Sequence, residues 1–88
     1  MTDAVEISGT TVTVDAGVVA EAFGLQADEV RDLMRGGAIT TRHERGEGED
    51  AGRARISFFH RGRALRLTID EQSGVILSRA RFDVAPRP

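Results

Sequence analysis

The 88-residue chain contains no cysteine, no lysine, no tryptophan and no tyrosine. Without cysteine there is no disulfide, no thiolate zinc site and no cysteine nucleophile. Without lysine there is no Schiff-base chemistry and no P-loop lysine. All twelve cations are therefore arginines. A GC-rich coding sequence would produce that bias, and so would selection for bidentate contacts to carboxylate or phosphate. No apolar run approaches the roughly 18 residues of a membrane span. The first nine residues carry Asp3 and Glu6 but no basic residue, unlike a secretory leader. These absences lead to the expectation of a cytoplasmic protein that uses no membrane.

What is present fits an ordinary globular chain, with 40% hydrophobic and 30% charged residues,. A chain of this size buries roughly 60% of its unfolded surface. That suffices for one core, expected over residues 1–83, with residues 84–88 as a flexible tail. The net charge is −2, yet its distribution is uneven. Residues 1–52 hold eleven acids and four arginines, a balance of −7. Residues 53–88 hold three acids and eight arginines, a balance of +5. Such asymmetry fits an interaction surface, or two halves that neutralise each other within the fold or across a dimer.

Hydrophobic periodicity gives the element order. Val5, Ile7, Val12 and Val14 alternate with Glu6 and Thr13 around a Ser8-Gly9-Thr10 turn, which reads as two short strands. Asp15 is a good helix N-cap. Val19, Ala22 and Phe23 follow on one face, and Gly24 supplies a C-terminal stop. A second helix starts near Ala27, with Asp28 and Glu29 in its first turn, a stripe of Val30, Leu33 and Met34, and a stop at Gly36-Gly37. Strands are expected at Ile39 to Arg45, Arg53 to His60, Ala64 to Asp70 and Val75 to Phe82. The fold class is α+β, two helices packed on one face of a mostly antiparallel sheet of five or six strands, in the order ββααββββ.

Four groupings are candidates for function. Ala20, Gly24, Leu25, Val30 and Leu33 fit a helix-turn-helix template, with Gly36 to Ile39 opening a wing. In that template the second helix leads into the major groove with its N-terminal end. Here that end carries Asp28 and Glu29, with Asp32 one turn on, which opposes phosphate contact. A plain αα corner needs the same small and apolar residues.

The sheet is the second grouping. With Ile56, Phe58, Leu65 and Leu67 inward, Arg53, Arg55, Phe59 and Arg66 face out. With Ile76, Ala80 and Phe82 also inward, Arg79 and Arg81 join them, although Val75 and Leu77 favour the opposite phase. The third is the acidic glycine-rich loop with Glu44, Glu47, Glu49 and Asp50. Its spacing departs from a calcium-binding EF-hand loop, and a mobile loop or one pinned by Glu44 and Arg53 is the expectation. The fourth is the pair His43 and His60, two histidines without a third ligand. No G-x-S-x-G, H-E-x-x-H or glycine-rich phosphate loop is present.

The segments VDAGVVAEAFGL, LMRGGAIT, ERGEGEDAGRARISF and HRGRALRLTID resemble a family of small uncharacterised bacterial proteins. The shared element has the form ERGxGEDAGRxR. The resemblance covers most of the chain and implies no activity, cofactor or catalytic residue. It does imply that the acidic loop and the arginines after it are a family feature.

The expected function is a small non-enzymatic interaction module without metal or cofactor. Its candidate surface is Glu44, Glu47, Glu49, Asp50, Arg53, Arg55, Phe59, Arg66, Arg79 and Arg81. Its partner is another protein or a second copy forming a homodimer. The alternative is a helix-turn-helix, winged-helix-like regulator that binds nucleic acid.

Overall fold

The computed structural model describes residues 5–8 and 11–84. Strands β1 (Val5–Ser8) and β2 (Thr11–Val14) form an antiparallel hairpin that is a two-stranded sheet of its own. Helices α1 (Ala16–Phe23) and α2 (Ala27–Arg35) follow. Then come β3 (Thr40–Arg45), β4 (Arg53–His60), β5 (Arg63–Asp70) and β6 (Ile76–Asp83). These four make an antiparallel meander in the order β3-β4-β5-β6. The main body is therefore αα followed by ββββ. Among the described residues the strands divide into two sheets instead of the expected single sheet of five or six strands, because β1 and β2 pair with each other and not with the meander.

Local chemistry explains the helix ends. Asp15 Oδ1 accepts the Gly17 N–H at 2.8 Å, satisfying one of the free amides of the first turn of α1,. Gly24 closes the helix at φ 68°, a left-handed conformation that costs glycine little,. At α2 the Gln26 N–H donates to Glu29 Oε1 at 3.1 Å, a reach-back bond from the third helical residue,. The far end is a Schellman closure: the Ala38 N–H donates to the Leu33 carbonyl at 2.8 Å and the Gly37 N–H to Met34 at 3.2 Å,.

The core lies between the helices and one sheet face. Val19 and Ala20 of α1, Val30 of α2 and Ile39 meet Ile56 and Phe58 of β4 and Leu65, Leu67 and Ile69 of β5. Leu67 and Ile69 are fully buried. Ile39, expected to open a strand, instead sits in the core just before β3, and β3 itself is exposed along its length. Its sequence, TTRHER, has no apolar residue to turn inward. His60 ties three elements together. Its Nδ1 lies 3.1 Å from the Ala38 carbonyl, and its ring meets Phe23 edge-on at 5.6 Å.

The β4–β5 link is the two-residue loop Arg61-Gly62, both at positive φ (49° and 74°). This is the turn whose twist matches a tight hairpin. Between β5 and β6 the register slips: Thr68 pairs with Ser78 but Ile69 with Ile76, leaving Leu77 as the extra residue of a bulge,. The molecule measures 35 × 34 × 19 Å. Its thin dimension matches two layers of roughly 10 Å each.

Candidate functional site

The sheet face turned away from the helices is built row by row, since antiparallel partners present their side chains on one face. Thr40, Phe59, Ala64 and Phe82 form one row. Arg42, Ser57, Arg66 and Ala80 form the next, and Glu44, Arg55, Thr68 and Ser78 the third. Arg53 stands opposite Asp70 at the end. Ser57 and Ala64 are small and buried between larger neighbours. The arginines above them are exposed. The Arg66 guanidinium carbon lies 5.1 Å from the centre of the Phe82 ring.

Five of the candidate residues thus share one face: Glu44, Arg53, Arg55, Phe59 and Arg66. Arg79 and Arg81 do not join them. They pair with Leu67 and Leu65 and so sit on the helix side. There they line a cleft of about 280 Å³ with Val18, Glu21 and Ala22. The bulge at Leu77 is the cause: it keeps Ile76 inward and flips the rest of β6, so Ala80 and Phe82 point outward rather than into the core. Sequence alternation did not place Phe82 and Ser78 on the outer face for that reason.

Electrostatics divides the cations. Arg42 Nε is 3.3 Å from Glu44 Oε1, a pair along one strand rather than across to Arg53. Arg45 Nε is 3.8 Å from Glu71 Oε2. Among the described residues, Arg53, Arg55 and Arg66 have no carboxylate within ion-pair distance. Arg53, Arg55, Thr68 and Ser78, with Gly46, line an open hollow of about 370 Å³. Two guanidinium groups and two hydroxyls supply only donors or adaptable donors there, a setting for a carboxylate or another oxyanion.

The acidic loop is not freely hanging. The Gly46 N–H donates to the Arg53 carbonyl at 2.8 Å, a short 3-10 turn spans Gly48–Asp50, and the Glu71 N–H donates to the Gly52 carbonyl at 2.8 Å. The expected Glu44–Arg53 pinning is replaced by these backbone bonds and by Arg45–Glu71. Glu47 and Glu49 are exposed. The Asp50 side chain lies outside the described residues, as does the segment 85–88 of the expected tail. Val84, the tail's first residue, is held by its N–H to the Gly62 carbonyl at 2.7 Å.

The two histidines do not converge. His43 pairs with Ile56, four residues along β4 from His60, so roughly 13 Å of strand separates the two positions,. Among the described residues no three His, Asp or Glu side chains cluster as a metal site would require, and no helix is long and apolar enough to cross a membrane.

The helix-turn-helix grouping has its charges paired internally. Arg31 bonds Asp28 at 2.9 Å and Arg35 lies 3.5 Å from Asp32, both one turn apart on α2. The cations of this helix thus stand beside acids that repel phosphate.

A family of unknown function, DUF6522, matches over residues 1–88. No curated protein and no solved structure matches the chain.

Proposed function

The chain belongs to family DUF6522, a family of unknown function, and we propose that it is a cytoplasmic, non-enzymatic interaction module. Its outer sheet face binds an acidic segment of a partner protein. One observation carries this reading: Arg53, Arg55 and Arg66 share an exposed face and, among the described residues, none has a carboxylate partner. A partner's carboxylate would enter the hollow between Arg53 and Arg55, accepting from both guanidinium groups. The Phe59–Ala64–Phe82 row would take an adjacent apolar side chain. Glu44, Glu47 and Glu49 at the same end of the sheet would reject anionic partners that approach in the wrong register. On this reading the acidic loop and the arginines that follow it form the family's common binding element.

The nucleic-acid reading has less support. The cations of α2 are paired with acids, and of the arginines a wing would offer, Arg42, Arg45, Arg53 and Arg55, the first two are paired as well. Only Arg53 and Arg55 would remain for phosphate.

The test is a titration of a fluorescently labelled, glutamate-rich peptide with the protein, read by anisotropy. The label belongs on the peptide because the protein has no tryptophan or tyrosine. Saturable binding that weakens with salt and is lost in Arg53→Glu/Arg55→Glu supports the reading. Equal binding by the doubly reversed variant contradicts it.

A further inference from the structure

We propose that the free edge of β6 pairs with the β6 edge of a second copy, joining two four-stranded sheets into one of eight strands. This goes beyond the outer-face reading and shares only Phe82 with it.

The two edges of the sheet differ in kind. β3 is protected as edge strands usually are, by charge: Arg42, His43, Glu44 and Arg45 cover its exposed length,. β6 has eight residues, lacks proline and carries its three charges, Arg79, Arg81 and Asp83, on the helix side. Exposed apolar side chains lie along and beside it: Val75 at 55%, Leu77 at 50%, Val84 at 40% and Phe82 at 38%. The Val84 N–H points at β5, where it meets the Gly62 carbonyl. By strand alternation Phe82 and Ala80 also turn their backbone groups towards β5. Arg79, Arg81 and Asp83 then present theirs to the free edge, a ladder without a partner among the described residues.

Side chains select the second copy as the occupant. In an antiparallel pair with its two-fold axis at Phe82, the Phe82 rings of the two copies face each other on the outer side. Ala80 lies opposite Val84 of the other copy, twice. On the helix side Arg81 lies opposite Asp83 of the other copy, also twice. Among the described residues neither Arg81 nor Asp83 has an ion-pair partner within the chain. Moving the axis to Arg81 or to Ala80 places arginine against arginine, so the Phe82 register alone of these three avoids like-charge contact. The contact is isologous and closes at two copies.

The experiment is sedimentation equilibrium of the full chain from micromolar to millimolar concentration. The expected result is a mass that rises to that of a dimer and stops. Asp83→Arg sets Arg81 against arginine and should raise the dissociation constant about tenfold. Arg81→Asp should do the same, and the double exchange Arg81→Asp/Asp83→Arg should restore the dimer. Far-ultraviolet circular dichroism identifies any variant that fails to fold, and restoration by the double exchange cannot come from misfolding. A monomer throughout the range overturns the proposal, as does a dimer indifferent to both single exchanges. Arg53→Glu/Arg55→Glu serves as the control: it reverses the two cations of the outer-face hollow and should leave the dimer mass unchanged, so the two readings fail separately.

Discussion

Arg66 of β5 lies with its guanidinium carbon 5.1 Å from the ring centre of Phe82 on β6, one diagonal step away across the strand pair. The contact holds a cation over the exposed aromatic face and depends on the bulge at Leu77, which turned Phe82 outward. Replacing Phe82 by leucine keeps apolar surface but removes the ring. We expect a loss of about 0.5–1 kcal/mol in urea unfolding, the usual range for an exposed cation–π pair. Arg66→Gln should have a much smaller further effect once Phe82→Leu is present.

The Arg61-Gly62 loop carries strain at a residue with a side chain. Arg61 sits at φ 49°, where asparagine is tolerated far better than arginine. Arg61→Asn should stabilise the protein by about 0.5–1 kcal/mol, which for a domain of this size means a Tm higher by several degrees. Thermal unfolding followed by circular dichroism reads this directly. An unchanged or lower Tm would mean that the turn conformation differs from the one described.

Leu67 has no exposed surface and lies at the centre of the inner sheet face. Leu67→Ala should lower stability by about 2–5 kcal/mol, combining lost transfer energy with an unfilled cavity. In a chain whose whole stability is about 5–15 kcal/mol, that is enough to populate unfolded molecules. Denaturant titration gives the value.

His60 links the end of α1, the segment after α2 and the β4–β5 hairpin through Phe23 and the Ala38 carbonyl. His60→Ala should lower stability by about 1–2 kcal/mol, the sum of a hydrogen bond and an edge-on aromatic contact. Amide exchange should accelerate first near Ala38 and Ile39, because that segment loses its tether.

Much of this fold was legible because particular residues admit few alternatives. Asp15 and Gly24 bound α1 as their capping chemistry requires, and the strict alternation of Ala54, Ile56 and Phe58 with Arg53, Arg55 and Ser57 oriented β4. The phase of β6 was not legible. Ile-Leu-Ser-Arg-Ala-Arg-Phe-Asp has no clear apolar face, because an edge strand is only partly covered, and its bulge depends on pairing with β5. The same misreading assigned Arg79 and Arg81 to the outer surface. The separation of β1 and β2 from the main sheet escaped notice for a related reason: alternation marks a strand but does not name its neighbour.

What the outer face of β4 and β5 binds decides between the acidic partner and nucleic acid. The most direct measurement follows amide signals of isotope-labelled protein at low salt, first with a glutamate-rich peptide and separately with mixed-sequence duplex DNA. We predict that the peptide shifts the signals of Arg53, Arg55, Arg66, Thr68 and Ser78, and that DNA leaves α2 unmoved. Shifts centred on Gln26 to Arg35 with DNA, and none on β4 or β5 with the peptide, would contradict the account and establish the helix pair as the binding element.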